Sequence, residues 1–262
     1  EKCNIIFSIK SRWIISEEFI KEFDEMVYNI HQGDLPYERG GTTSSQRILN
    51  NVNKAGVTIH KIEKGIDSGP ILYKKTTQID VKKMSQDDMN DVNMSISKDL
   101  LCDFISDLEK KIEITEKKQS KDDSIYLPQL YTELNGAINW DWNIDQLDRF
   151  IRAFGPPFPG AFTFHKGKKI NILKGYIEFS DYDFHPLYWG RIIGFTERGD
   201  IKVAANQGVL IIELFNYEGI KSALNDKVKV SHVFYTPAEV LLKAKIETKT
   251  SLKMKPPNQD IN

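Results

Sequence analysis

The stretch that decides the fold of this chain is Val27–Gly41, with the sequence VYNIHQGDLPYERGG. It begins as a short apolar strand and ends in a loop rich in proline and glycine. Asn29 and His31 lie two residues apart where the strand ends, and side chains at positions i and i+2 of a strand share one face. The stretch therefore predicts a carboxamide and an imidazole side by side at the carboxyl end of a strand, where open α/β sheets place their ligands.

The residues before this stretch complete a β-α-β unit. A strand is predicted at Cys3–Ile9, and a short helix at Ser16–Phe23 has Ser16 as its N-cap and two acidic residues in its first turn. The strand at 26–31 follows directly. Two strands joined by a helix in this way are expected to be parallel neighbours in one sheet.

The residues after the stretch continue the α/β pattern to about residue 120. The predicted elements are a helix at 44–54, a strand at 56–62, a turn at 63–70, a strand at 71–76 and an amphipathic helix at 85–111. The charged run 109–123 has few apolar residues, which is typical of an exposed connection.

The second half of the chain has a different pattern. A connecting segment with a short helix at 144–153 leads into residues 161–234, where short strands alternate with glycine-centred turns. This alternation predicts a small antiparallel barrel or meander, with strands at 161–164, 169–177, 190–196, 201–204 and 209–217. A final helix is predicted from Thr236 to about 247. The predicted domains are an α/β core at 1–120, a connection at 121–160, a β-rich domain at 161–247 and a tail at 248–262.

Composition restricts the function classes. The formal net charge is −1, so the chain lacks the basic surplus typical of proteins that bind nucleic acid. Cys3 and Cys102 are far apart, which excludes a disulfide framework and is typical of core thiols in a reducing compartment. Since no apolar run is long enough to cross a bilayer and no signal peptide begins the chain, the expected location is cytoplasmic, with no membrane partner.

The candidate chemistry rests on three side chains. The sequence contains no GxSxG, Walker, HExxH or GxGxxG motif, which leaves Asn29, His31 and an acid in the turn at 65–69. Asp67 is the candidate acid, because it lies between Gly65 and Gly69 in a turn that follows a strand. If that strand joins the same parallel sheet, its carboxyl end lies at the edge that carries Asn29 and His31. A carboxylate raises the basicity of a neighbouring imidazole, and an amide N–H can donate to a developing oxyanion. The trio suits acyl transfer to an amine, although each member also fits a structural role in a turn or a hydrogen-bonded core.

Three segments resemble a known family. Asn29–His31, Leu35–Gly40 and Ala55–Leu72, in this order, resemble the formyltransferases that use N10-formyltetrahydrofolate. The resemblance covers most of residues 3–110 and continues more weakly through 126–164. It implies a Rossmann-like α/β core, N10-formyltetrahydrofolate as co-substrate, contacts of Asn29 and His31 with the formyl group, and pairing of Asp67 with His31.

The segment 126–162 is most similar to the sugar N-formyltransferases. Those enzymes act on nucleotide-linked amino sugars, such as 4-amino-4,6-dideoxyhexoses, during synthesis of bacterial surface polysaccharides such as the lipopolysaccharide O-antigen. The resemblance implies such a sugar as the partner, and family analogy suggests a homodimer. The loop 155–160, which contains Pro157, either lies near the active site or forms a rigid domain connection. Tyr37 and Arg39 either face the substrate or shape their own loop. No metal site is expected.

The resemblance also implies main-chain contacts with the folate from two segments. The matching residues are Trp13, Ile14 and Ile15 in the first segment and Glu63, Lys64, Gly65 and Ile66 in the second. His60 matches a histidine that is common in the family, and it is interpreted as structural.

The chain departs from the family pattern at two places. The family's usual loop has Pro-Ser and then Leu-Leu-Pro after Asn-x-His, whereas this chain has Gln32–Pro36, a change expected to alter the sugar side of the pocket. The family also begins with a Rossmann-like half that helps bind the nucleotide. Roughly 60–90 further residues are therefore expected before residue 3, at about 30 residues for each βαβ unit.

Two alternatives stay open. A methionyl-tRNA formyltransferase has a compatible C-terminal domain, but the near-neutral charge and the segment 126–162 argue against it. The other alternative is a non-catalytic binding protein of the same fold. Its interface would use aromatic residues of the β-rich domain, about half of which are instead expected in the core: Tyr176, Phe179, Tyr182, Phe184, Tyr188 and Trp189.

Overall fold

The computed structural model describes residues 5–11, 15–23, 26–217, 220–222 and 227–248, and for 220–222 only the backbone. The expectations for Cys3 and for the tail beyond residue 248 lie outside these ranges. In the part of the chain that is described, no helix combines the length and the apolar character needed to cross a membrane.

The first part of the chain forms a four-stranded mixed sheet in the order β1-β2-β4-β5. Its elements are β1 (Ile6–Ile9), α1 (Glu17–Glu22), β2 (Val27–His31), β3 (Arg39–Gly40), α2 (Thr43–Leu49), β4 (Lys54–Lys61), β5 (Ile71–Gln78) and α3 (Gln86–Glu109), with a 3-10 helix at Val81–Lys83. β1 and β2 are parallel, which confirms the predicted β-α-β unit. The predicted N-cap of α1 is also confirmed, since the Phe19 N–H donates to Ser16 Oγ at 3.2 Å.

β4 runs antiparallel to β2, so the expectation of a parallel sheet up to Asp67 is wrong. His31 at the end of β2 pairs with Thr58 in the middle of β4. The connection between the two strands therefore does not carry the chain back along β2, as a parallel crossover must. As a result the end of β4 lies beside the beginning of β2, where Lys61 pairs with Tyr28.

The helix α2 ends at Leu49 rather than at residue 54. Asn51 adopts a left-handed backbone with φ of +54°. The N–H of Asn51 donates to Ile48 O, and the N–H of Val52 donates to Arg47 O at 3.0 Å. This pair of bonds is the Schellman ending of a helix, which asparagine tolerates better than most residues. It turns the chain directly into β4.

The helix α3 covers one face of the sheet, as the amphipathic pattern predicts. It begins with a capping box between Ser85 and Asp88. Phe104 is fully buried, and its ring packs against the rings of Phe7, Tyr28 and Tyr73 at centroid distances of 5.2 to 5.5 Å. Burial of one such side chain stabilises the fold by about 1.5–3 kcal/mol. The helix thereby fixes β2, which presents Asn29 and His31.

The second part of the chain is rich in strands. Its elements are β6 (Tyr126–Leu127), α4 (Thr132–Asn135), α5 (Ile144–Ala153), β7 (Ala161–His165), β8 (Lys168–Phe179), a 3-10 helix at Pro186–Tyr188, β9 (Ile192–Phe195), β10 (Ile201–Ala205), β11 (Gly208–Tyr217), β12 (Ile220–Ser222) and α6 (Ala238–Ile246). The order is β7-β8-β11-β10-β9, with β12 on β11, and all neighbours are antiparallel. The predicted fold class, an α/β core followed by a β-rich domain, is confirmed.

The β-rich sheet is not a closed barrel in the described residues. Isolated bridges join Phe164 in β7 to Tyr235, and Arg191 before β9 to Val233. The segment 232–235 therefore touches both edges of the sheet without forming a regular strand. The aromatic residues are more exposed than expected: Tyr176, Phe179, Tyr182 and Tyr188 are 41% to 71% exposed, while Phe184 and Trp189 are partly buried.

One hydrophobic core joins the two parts of the chain. The helix α5 lies at its centre, and Leu147 of this helix is fully buried. Ile48 of α2 and Met89 of α3 belong to the same cluster as Ile172 of β8 and Leu210 of β11. A second, smaller cluster lies between α3 and the first sheet and contains Ile30 and Ile59. The strand that carries the candidate site is therefore held by packing rather than by its loops.

Candidate active site

His31 is the last residue of β2, and its ring is 8% exposed. Its Nε2 lies 2.6 Å from the main-chain oxygen of Glu38. A carbonyl oxygen only accepts, so Nε2 carries the hydrogen of this bond. In the neutral ring the basic atom is therefore Nδ1, which faces Asp67 Oδ2 at 3.6 Å.

Asp67 lies in the turn between β4 and β5, and its side chain is 12% exposed. Asn29 Nδ2 donates to Asp67 Oδ1 at 3.2 Å, and the N–H of Gly40 donates to Asp67 Oδ2 at 2.9 Å. The structure thus brings Asn29, His31 and Asp67 together, as the sequence predicts. The carboxylate is fixed by three different parts of the chain.

The turn that carries Asp67 folds back from the end of β4 and so reaches Asn29 and His31, although β4 runs antiparallel to β2. Gln119 Nε2 donates to the main-chain oxygens of Asp67 and Gly69 at 2.9 and 2.7 Å. Arg39 Nε donates to the main-chain oxygen of Ile66 at 2.8 Å. A Cβ at Gly69 would lie 1.9 Å from the Lys61 carbonyl oxygen, so only glycine fits there.

His60 belongs to the same cluster as Asn29, His31 and Asp67. The sequence analysis interpreted His60 as structural and did not place it with these three residues. It pairs with Asn29 in the β2–β4 ladder. Its Nδ1 lies 2.8 Å from the Lys61 carbonyl oxygen and donates to it. Its Nε2 lies 3.2 Å from Asn29 Nδ2 and 3.4 Å from Asp67 Oδ1. The neutral ring therefore accepts from Asn29, and the protonated ring donates to Asp67.

The electrostatics of the cluster favour an ionised carboxylate beside a neutral imidazole. Burial by itself raises the pKa of Asp67, but hydrogen bonding to His60, the electrostatic effects of His31 and His60 and the Gly40 N–H together lower this pKa to about 2. Burial lowers the pKa of His31 below its ordinary value of 6.5, and the Asp67 carboxylate and the Glu38 carbonyl offset only part of this effect. At neutral pH, His31 can therefore accept a proton that Asp67 then stabilises.

The residues expected to face the substrate differ in their surroundings. Tyr37 is 47% exposed, and Lys74 Nζ lies 5.7 Å from the centre of its ring. Arg39 is committed to the Ile66 carbonyl and to Ser124 Oγ, which favours a role in shaping the loop. Pro157 is exposed in the loop between α5 and β7. No described hydrogen bond or ion pair joins that loop to Asn29, His31 or Asp67.

Part of the expected folate surface can be located. Trp13 and Ile14 lie outside the described residues, whereas Ile15 is half-buried just before the N-cap of α1. Glu63, Lys64 and Gly65 are exposed residues. The Lys64 carbonyl accepts from Ser68 Oγ at 3.2 Å, and the Ile66 carbonyl accepts from Arg39. Within the described ranges, no group of three histidine, cysteine or acidic side chains is arranged to hold a metal ion.

Comparison with known proteins gives two matches to family models. Residues 5–103 match the model described as formyl transferase, and residues 132–225 match the model described as the formyl transferase C-terminal domain. Together the two models account for well over half of the chain, and the first contains Asn29, His31 and Asp67.

Two curated proteins illustrate the relatives. The chain is 32% identical to the bifunctional polymyxin resistance protein ArnA of Wigglesworthia glossinidia brevipalpis over 71% of this chain and 29% of that protein. It is 27% identical to the methionyl-tRNA formyltransferase of Rickettsia bellii over 85% of this chain and 68% of that protein. The chain thus spans less than a third of the first relative and about two thirds of the second.

A solved structure shows the same fold. It is an N-formyltransferase from Helicobacter canadensis in complex with folinic acid and dTDP-3-aminofucose, with a TM-score of 0.62 and 23% identity. The match covers 80% of this chain and 73% of that chain. At this identity the likeness concerns the fold.

Proposed function

Because this chain belongs to the formyltransferase family, we propose that its site transfers a formyl group from N10-formyltetrahydrofolate to the amine of a nucleotide-linked amino sugar. The observation that carries the proposal is the contact of the Asp67 carboxylate with both Asn29 and His31. The co-substrate supplies an activated formyl group, and Trp13, Ile14, Ile15 and residues 63–66 are the proposed contacts with it.

The proposed reaction forms one bond and breaks another. The amine nitrogen bonds to the formyl carbon, and the bond between that carbon and N10 of the folate breaks. The amine loses one proton and N10 gains one, so the products are a formamide and tetrahydrofolate. His31 takes the amine proton at Nδ1, where the ionised Asp67 stabilises the resulting imidazolium.

Asn29 is the proposed donor to the tetrahedral oxyanion. Its amide nitrogen donates to Asp67 Oδ1 and lies 3.2 Å from His60 Nε2. The carboxamide must therefore release one of these bonds when the formyl oxygen arrives. The N–H that it releases then donates to the oxyanion.

Three further proposals concern the substrate and its context. The likeness of segment 126–162 to sugar N-formyltransferases supports an amino sugar, and the solved neighbour holds such a sugar. Tyr37 and Pro157 are the proposed sugar-side residues, and Arg39 is proposed to act there by shaping the loop that carries Tyr37. The role in surface polysaccharide synthesis is proposed from the same likeness, and a cytoplasmic location is proposed with it. A homodimer is also proposed, and sedimentation of the full-length protein tests it.

One observation favours a second candidate, formylation of methionyl-tRNA. Five exposed lysines lie at one end of the β-rich domain: Lys166, Lys168, Lys169, Lys227 and Lys229. The ammonium groups of Lys168 and Lys227 lie 5.9 and 5.0 Å from the centre of the Tyr217 ring. Burial and then Lys166 and Lys229 lower the pKa of His232, which indicates a locally positive surface despite the net charge of the chain.

A direct comparison of acceptors tests the proposal. The full-length protein is given N10-formyltetrahydrofolate with either a dTDP- or UDP-linked amino sugar or methionyl-tRNA. The proposal expects formylated sugar and no formylated tRNA. Formylation of tRNA that is lost in a Lys166→Glu/Lys229→Glu variant would establish the second candidate instead. Transfer to neither acceptor would favour a non-catalytic binding protein.

A further inference from the structure

We propose that Glu38 and Arg47 are positioning residues for His31: their buried ion pair fixes the main-chain carbonyl that holds the Nε2 hydrogen and so leaves Nδ1 facing Asp67. The catalytic meaning of this inference rests on the proposed function. The positioning itself is a property of the protein alone.

Arg47 is fully buried and every part of its guanidinium has a partner. Nε donates to Glu38 Oε1 at 2.9 Å, and Nη2 donates to Glu38 Oε2 at 2.6 Å. Nη1 donates to Asn93 Oδ1 at 3.0 Å, and Nη2 also donates to the Gly56 carbonyl at 2.8 Å. The planar fork therefore has one orientation, set by α3 and β4 as well as by Glu38.

Glu38 transmits that orientation to the loop after β2. Its Oε2 accepts the N–H of Asp34 at 2.7 Å, and the N–H of Tyr37 donates to the Asp34 carbonyl at 3.0 Å. These two hydrogen bonds close residues 34–38 into a compact loop. The Glu38 main-chain carbonyl belongs to this loop and accepts the hydrogen of His31 Nε2. A shift of the carboxylate thus shifts the acceptor of the imidazole.

Gly33 shows how tightly the ring of His31 is placed. A Cβ at this position would lie 2.2 Å from His31 Nε2 and 2.7 Å from the Glu38 carbonyl oxygen. Real Cβ atoms do not approach so closely, so any side chain at position 33 displaces the ring or the carbonyl. Gly33→Ala therefore disturbs the same contact without touching the ion pair.

A purely structural role for the ion pair makes a different prediction. It affects the stability of the protein but not the hydrogen that His31 carries. Imidazole ¹⁵N chemical shifts separate the two roles, since they distinguish a protonated from an unprotonated ring nitrogen. The chain has five histidines, and the spectrum of His31→Gln assigns the signals of His31.

The test measures the ¹⁵N shifts of His31 against pH in the full-length wild type and in three variants. In the wild type, the neutral ring carries its hydrogen on Nε2. Glu38→Gln and Gly33→Ala are expected to give a mixture of the two neutral tautomers, whereas Glu38→Asp, which keeps the charge, restores much of the Nε2 form. The matched control is Gln86→Leu, which removes buried hydrogen bonds to Ser45 and Ala153 and leaves the tautomer unchanged.

The same variants that change the His31 tautomer are expected to lower kcat for formyl transfer. Glu38→Gln and Gly33→Ala lower kcat by about 10- to 100-fold with little change in KM, because a small misplacement of a reacting group is costly. If Glu38→Gln does not fold, Gly33→Ala still decides the question. Folded variants whose His31 tautomer equals that of the wild type would overturn the inference. If the wild type transfers no formyl group, the proposed function fails, while the ¹⁵N shifts still decide the positioning.

Discussion

The surroundings of the candidate site and the β-rich domain use polar residues in opposite ways. Around the site, charged side chains are buried and paired, as in the contact of Arg47 with Glu38. In the β-rich domain the hydrophobic cluster is joined by an uncharged buried hydroxyl, that of Thr163, and the ion pair Lys174–Glu213 lies on the surface. Buried charges are costly unless they are fully partnered, so a cluster of them indicates a place where geometry matters more than stability.

The largest expected difference between the two regions is in catalysis. His31→Gln removes the base next to Asp67, and we expect kcat for formyl transfer to fall by about 10²- to 10⁴-fold, the range for loss of a general base. The matched control is His185→Gln in the β-rich domain, an exposed histidine that caps a 3-10 helix. Its kcat is expected to stay within about twofold of the wild type. Equal losses in both variants would show that the site lies elsewhere.

The next difference is in stability. Arg47→Met leaves the Glu38 carboxylate buried without its partner, and we expect a loss of about 3–5 kcal/mol in the free energy of unfolding. Lys174→Met breaks an exposed pair with Glu213 and is expected to cost less than about 1 kcal/mol. Urea unfolding of both variants measures these values. A small loss for Arg47→Met would mean that the buried network is not tightly packed.

Asp67 adds a pH dependence to the stability of the region around the candidate site. Its pKa of about 2 lies below the unfolded value of about 3.9, so the ionised form stabilises the folded state above pH 4. This contribution, about 2 kcal/mol, is lost as the pH falls through about 2. Asp67→Asn should remove this part of the acid dependence of the unfolding free energy. An unchanged acid profile in the variant would contradict the assigned pKa.

The smallest expected effects are the same for one helix beside each region: α3 packs on the first sheet, and α5 packs against the β-rich sheet. Ser85 caps α3, and Asn143 caps α5, each through a reciprocal pair of hydrogen bonds with the third residue of its helix. Ser85→Ala and Asn143→Ala should each lower the unfolding free energy by about 1 kcal/mol. Thermal unfolding measures both. If the two variants lose clearly different amounts of unfolding free energy, the contribution of an N-cap depends on which helix it caps.

Sequence alternation was sufficient to place Asn29 and His31 on one face, and the β-α-β pattern was sufficient for the parallel pair β1–β2. The direction of β4 could not be predicted, because alternation is the same in parallel and antiparallel strands. The end of α2 depends on Asn51 adopting a left-handed backbone, which composition alone does not reveal.

The rest of the site depends on contacts between distant residues. Asp67 reaches His31 because Gln119, far along the chain, holds its turn. His60 joins the cluster through the register of β4, which is set by the whole sheet. The sequence showed that the loop at Gln32–Pro36 departs from the family pattern and suggested an effect on the sugar side of the pocket. That effect stays a prediction, and the structure adds that Gly33 of this loop lies against the His31 ring.

The central claim is that neutral His31 accepts the amine proton with the support of ionised Asp67. The pH dependence of kcat/KM for the full-length protein tests it most directly, since this ratio reports ionisations of the free protein and the free substrate. With the ionisation of the acceptor amine measured separately, the account predicts that the rate rises with pH through a group whose pKa lies below 6.5 and that is absent in His31→Gln. A controlling group with a pKa at or above 6.5, or one that persists in His31→Gln, would contradict the account.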